Sequence, residues 1–158
     1  MAPCGEILYD AFAGIAQQHN FPPDFPQREM AQGVTTMLFS ALDRGGLYGV
    51  VAERDGTIVG SNFLTEGDEI RGVGPITVNP NVQGGGVGRR LMQDVIERGS
   101  AARGIRLVQD AFNMTSMSLY TSLGFDIKEP LVMVKGMFRR VSSTSRWLEC
   151  CEARMRTA

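Results

Sequence analysis

The sequence predicts a mixed α/β fold: a mostly antiparallel central sheet with helices on both faces. Three observations carry that expectation. Two helix-periodic segments precede a run of short strands, turn residues fold those strands back on one another, and a glycine-rich loop joins a strand to an amphipathic helix. In residues 5–18, Leu8, Phe12 and Ile15 fall on one helical face with Ile7 and Ala11 beside them. Pro22, Pro23 and Pro26 then remove backbone donors and restrict the residues before them, so 21–26 is a rigid connector carrying Phe21 and Phe25. A second helix is expected over about 27–42.

Residues 47–52 and 58–64 read as the arms of a hairpin, with Arg54, Asp55, Gly56 and Thr57 supplying the turn. Gly67 and Asp68 turn the chain into a strand predicted over 70–78. Residues 79–88 follow as a loop holding Gly84, Gly85, Gly86 and Gly88. After it Val87, Leu91 and Val95 recur every four residues with Met92 and Ile96 beside them, while Arg89, Arg90, Gln93, Asp94, Glu97 and Arg98 take the other face. Gly104 breaks that helix region. A buried strand is predicted over 105–112, a short helix over 116–123 stopped by Gly124 at C′, and two strands over 125–127 and 131–137. The tail from residue 139 has no partner in this plan, although Trp147, Leu148, Cys151 and Met155 suit one face of a terminal helix.

Composition removes several function classes. A chain of 158 residues with 43% hydrophobic and 21% charged residues suits one domain, and such a domain buries roughly 70% of its unfolded surface. Sixteen Lys and Arg against 17 Asp and Glu leave a net charge of −1, so neither nucleic acid nor an anionic membrane is the expected partner. No run approaches the ~20 apolar residues of a membrane span, and the N-terminal residues lack a basic segment followed by an apolar core. A cytoplasmic location is expected. Cys150 and Cys151 are adjacent and Cys4 is remote, which argues against a disulfide framework. With a single His19 and no paired cysteine ligands, no metal site is expected, and His19 reads as structural or exposed rather than as a catalytic imidazole.

A glycine-rich loop that opens a helix presents backbone N–H groups at the positive end of the helix dipole, which makes it an anion site. A nucleoside-triphosphate loop needs Lys-Ser/Thr after the glycines, where Arg89-Arg90-Leu91 stand. A dinucleotide fingerprint needs a third glycine where Leu91 stands. The pattern that remains is Gln83-x-x-Gly86-x-Gly88 after a strand ending Ile76-Thr77-Val78, and it resembles the GCN5-related N-acetyltransferase (GNAT) superfamily. A second segment, Asn113-x-x-Ser116-x-x-Leu119-Tyr120-x-x-Leu123-Gly124-Phe125, is similar to that family's second motif.

The resemblance covers residues 5–138, the expected domain, with 139–158 outside it. It implies that Gln83, Gly84, Gly85, Gly86, Val87, Gly88 and Arg89 wrap the pyrophosphate of acetyl-coenzyme A. It also implies that the backbone of Ile76, Thr77 and Val78 holds the pantetheine and polarises the acetyl carbonyl. Asn113 would contact the pantetheine arm, and the Tyr120 hydroxyl would lie near the sulfur. The family's first strand, ahead of the first helix, is missing here, which leaves a sheet edge open and suggests a homodimer.

The implied reaction moves acetyl to the primary amine of a small molecule or peptide by direct attack in a ternary complex. It needs an oxyanion donor, given to the Val78 N–H, and a proton for the thiolate, given to Tyr120, whose plainer reading is a packing tyrosine. The general base is left among Glu66, Asp68, Glu69 and Asp110, with Glu69 taken as the candidate; each is also read as an ordinary solvated charge. The alternative function is a non-catalytic acyl-coenzyme A sensor or regulatory module. The acceptor is not legible.

Overall fold

The computed structural model describes residues 2–132. The chain divides into two units, Met1–Lys128 and Glu129–Ala158, and the first carries the fold. The terminal helix around Trp147, and residues 133–137 of the last expected strand, lie outside the described residues.

Helices α1 (Ala2–Gln18) and α2 (Arg28–Leu42) lead into strands β1 (Leu47–Arg54) and β2 (Thr57–Thr65). Asp55 and Gly56 link these strands as a two-residue turn, both at positive φ (51° and 74°), the conformation whose twist matches a hairpin. β3 (Ile70–Val73) and β4 (Thr77–Val78) follow, then a short 3-10 turn (Pro80–Val82), α3 (Val87–Arg98), β5 (Gly104–Arg106) and α4 (Met114–Ser122). The sheet runs β1-β2-β3-β5, antiparallel except for the parallel β3–β5 pair, and β4 extends the sheet beside β2. Among the described residues no strand lies outside β1.

β2 is the central strand, buried from Val59 to Leu64 because helices cover both its faces. Successive side chains point to opposite faces. Phe63 meets the ring of Phe39 in α2 at 5.9 Å, whereas Asn62 reaches the backbone of α3. On the α3 side, Leu64, Met92, Val95 and Tyr120 form a buried cluster, each contributing roughly 1.5–3 kcal/mol by leaving water.

The strand expected over 70–78 is two strands. Gly74, at φ 125°, and Pro75, which has no N–H, interrupt the ladder. Ser61 pairs with Thr77 and Leu64 with Val73, so Asn62 and Phe63 oppose Gly74, Pro75 and Ile76: a bulge, two residues against three. β5 keeps only Ile105 and Arg106 of the residues expected over 105–112, because the ladder with β3 ends at Gly72↔Arg106 and leaves 107–110 without a partner strand. α4 starts at Met114 rather than Ser116, since the Asn113 side chain caps it by accepting from the Ser116 N–H at 3.1 Å. Its end is as expected: Gly124 at φ 93° donates to Thr121 O and Phe125 N–H to Tyr120 O, with the Phe125 and Tyr120 rings 6.2 Å apart. The strand expected over 125–127 is absent; those residues follow the helix stop without regular structure.

Candidate active site

Where β3 and β5 part, they open a cleft of about 340 Å³, walled by residues 72–75 on one side, 106–108 on the other, and Phe12 of α1. Clefts of this size suit part of a small ligand. Gly72 is required at its base: a Cβ there would lie 2.8 Å from Thr65 Oγ1, which already bonds both the N–H and the carbonyl of Gly72.

One wall continues through β4 into the glycine loop. Asn79 N–H donates to Val59 O at 2.8 Å, and Gly60 opposes Val78. Alternation of an antiparallel ladder therefore turns the Val78 N–H away from β2. The Val78 carbonyl accepts from Gln83 Nε2 at 3.2 Å, so Gln83 braces the loop against the strand. Gly84 and Gly86 lie at φ 82° and 80°, a region costly to residues with a Cβ. Gly86 is the N-cap of α3 and offers no side-chain acceptor, which leaves the first helical N–H groups without a cap. No acidic residue stands in that first turn, and Arg89 and Arg90 do. Two cations at a positive helix end are unfavourable in an empty site and favourable once an anion binds. Arg89 Nη2 also donates to Ser122 Oγ at 2.7 Å, which joins α3 to the end of α4.

Tyr120 is 8% exposed and packs in the core. Burial raises its pKa, the Ser116 hydroxyl offsetting part of that, so it holds its proton at neutral pH. Asn113 uses its side-chain oxygen as the α4 cap, which leaves Nδ2 to donate to a ligand.

The general-base candidates separate. Glu66 accepts two bonds from Arg98, at 2.9 and 3.1 Å, and these hold its pKa down, which makes it a poor base. Glu69 is 79% exposed and pairs with Arg103 at 3.2 Å, an arrangement of a surface ion pair rather than of a site. Asp110 follows the cleft wall, and the structure brings Asp24 of the connector within its electrostatic reach. Asp24 is itself an exposed residue; partial desolvation, and then the Asp110 charge, raise its pKa. Aromatic contacts hold these segments together: Phe21 and Phe112 are 4.7 Å apart, His19 and Phe112 5.2 Å, and Phe12 and Phe25 5.4 Å. His19 is exposed, with one ring face against Phe112. Asp24 was invisible in sequence because its partner lies far along the chain. Among the described residues no group of three metal-ligating side chains occurs, and no helix is long and apolar enough to cross a membrane.

Comparison with known proteins places the fold and the family. A mycothiol acetyltransferase from Rothia mucilaginosa is 43% identical over 72 residues, covering 40% of this chain and 20% of that protein. The chain thus spans about a fifth of that relative's length. A transcriptional regulator from Bacillus halodurans C-125 shares the fold with a TM-score of 0.62 at 18% identity, over 84% of this chain and 90% of that one. A GNAT family acetyltransferase from Brucella melitensis, in complex with acetyl-CoA, gives a TM-score of 0.57 at 23% identity, over 80% and 76% of the two chains. Residues 11–125 match the acetyltransferase (GNAT) family. With both sequence motifs on the elements they require, the chain belongs to the GNAT acetyltransferase family.

Proposed function

We propose that the protein transfers acetyl from acetyl-coenzyme A to a primary amine of a small molecule or peptide, by direct attack within a ternary complex. The observation that carries this reading is the uncapped start of α3, with Gly84 and Gly86 at positive φ, continuous with a strand whose Val78 N–H faces away from β2. Backbone donors, two arginines and an open cleft in one line fit an elongated molecule with phosphate at one end and a thioester at the other.

In this reading the N–H groups from Gly84 to Arg89 hold the pyrophosphate, and the strand from Ile76 to Val78 together with Asn113 Nδ2 holds the pantetheine. The Val78 N–H donates to the carbonyl oxygen as it gains charge. Asp24, its proton affinity raised by partial desolvation and by Asp110, takes the proton of the incoming ammonium directly or through water. As the C–S bond breaks, Tyr120 gives its proton to the sulfur. The acidic pair also attracts a cationic acceptor. Self-association along the uncovered edge of β1 is part of the same proposal, tested by light scattering on the full chain: a dimer mass supports it and a monomer mass refutes it.

Thiol release from acetyl-coenzyme A, measured across amines, polyamines, aminoglycosides, amino acids and peptides, tests the reaction. Turnover with one class is expected. Binding of coenzyme A without acceptor-dependent release from any of them would favour a sensor module instead.

A further inference from the structure

Asn62 is fully buried on the central strand, at 0% exposure, in a place where an unpaired amide is costly. Its Oδ1 accepts from the Phe63 N–H at 2.9 Å, which fixes the orientation of the amide. Its Nδ2 donates to the Leu91 carbonyl of α3 at 3.2 Å, with Met92 Sδ at 3.6 Å. Leu91 lies about one turn inside the helix end whose N–H groups are uncapped. Asn62 is also one of the two β2 residues that oppose the bulge between β3 and β4. One side chain therefore ties the helix that opens at the glycine loop to β2, the strand with which β4 and its Val78 pair.

Its surroundings leave little slack. A Cβ on Gly60 would lie 2.7 Å from the Thr77 carbonyl and 3.1 Å from Leu91 Cδ1, so β2, β4 and α3 meet at close range beside Asn62. The other side-chain ties of α3 to the sheet region, Tyr48 to Asp94 at 2.7 Å and Arg98 to Glu66 at 2.9 Å, hold its later turns. An apolar residue of the same size would satisfy burial at this position but leave the buried Phe63 N–H without its acceptor. Burial alone therefore does not explain an amide.

We propose that Asn62 is a positioning residue: its bond to Leu91 sets the start of α3 at a fixed distance from β2, against which β4 is laddered, so that one molecule meets phosphate donors and strand backbone together. This rests on the acetyl-coenzyme A reading above. It implies that losing the bond harms a ligand spanning both halves more than a ligand touching only one.

The test is calorimetric affinity for coenzyme A, and for ADP, which carries a pyrophosphate without pantetheine, in the full chain and in Asn62→Leu, with melting temperature measured alongside. Asn62→Leu is expected to weaken coenzyme A about tenfold, in line with the lost bond to Leu91 and a displaced helix, while ADP affinity stays within about twofold and the melting temperature falls by a few degrees, because the buried Phe63 N–H loses its acceptor. Phe63→Leu, on the opposite face of the same strand, is expected to lower the melting temperature and leave coenzyme A affinity unchanged. If Asn62→Leu does not fold, Asn62→Ser is read in the same way, because serine is too short to reach Leu91. Unchanged coenzyme A affinity, equal losses for coenzyme A and ADP, or an equal loss in Phe63→Leu overturns the proposal. A wild-type chain that binds no coenzyme A overturns the functional reading as well.

Discussion

The two walls of the proposed site, which runs on from the cleft into the glycine loop, are built by different means. One wall is continuous in sequence: β4, the glycine loop and α3 run from Thr77 to Arg98, and backbone conformation does most of the work through Gly84 and Gly86. The other is assembled from distant parts: Phe12 of α1 shares the cleft with Arg106 and packs on Phe25, while in the connector Phe21 meets Phe112 and Asp24 feels the charge of Asp110. A phosphate asks for N–H groups and space, which a short run of residues can specify. An acceptor amine asks for side chains that converge in space, which only the folded chain supplies.

The sharpest way to separate the walls is to damage the first. Gly86→Val puts a β-branched residue at φ 80°, at the helix start itself. Coenzyme A affinity should fall by about 100-fold or more, with the circular dichroism spectrum near wild type. Gly88 is different, since an added Cβ would lie 3.5 Å from Leu119 Cδ2 and 3.6 Å from Val78 Cγ2, in ordinary contact. Gly88→Ala should therefore cost much less in the same calorimetry, and equal losses at the two glycines would break the conformational argument.

Tyr120→Phe keeps the ring in the core and removes only the hydroxyl, the proton donor of the proposal. It should lower kcat by about 100-fold while coenzyme A affinity stays within about twofold. An unchanged kcat would make Tyr120 a packing residue.

The second wall is addressed by pH. Asp24 must be deprotonated to act as a base, and its pKa is raised, so activity should be lost as pH falls through that raised value. Asp110→Asn removes one of the two causes. The acid limb of the pH–rate profile should then move to lower pH, with partial desolvation still holding it above the ordinary carboxylate position. A profile that does not move would take the pair out of the mechanism.

Sequence reading reached the first wall closely and the second hardly at all. The periodicity of Val87, Leu91 and Val95 located α3, Asp55-Gly56 located the hairpin, and Gly124 located the stop of α4. Each is a rule about neighbouring residues. The strand expected over 70–78 failed because its pattern says nothing of whether a partner follows it past Gly74 and Pro75. The strand expected over 105–112 failed for the same reason, having lost β3 beyond Arg106. α4 begins two residues earlier than its apolar pattern implies, because the cap is set by the Asn113 side chain and not by periodicity. Glu69 was chosen for its place on a turn, and only the folded chain reveals Arg103 beside it.

The smallest expected effects mark what lies outside the site. Tyr48→Phe removes the bond to Asp94. That loss is about 1 kcal/mol, or roughly 2–4 °C in melting temperature, and coenzyme A affinity should not change. Glu69→Gln should leave both stability and kcat near wild type, because an exposed pair contributes about 0–1 kcal/mol. A large loss of kcat there would return Glu69 to the mechanism.

The central claim is that one continuous backbone surface, from Ile76 through Arg89, receives coenzyme A. Titrating the ¹⁵N-labelled chain with coenzyme A and following its amide resonances tests it most directly. The account predicts the largest shifts at Gly84 to Arg89 and at Val78, with smaller ones at Glu69 and in the α1–α2 connector. Saturable binding with its largest shifts elsewhere, or no shifts at all, would contradict it.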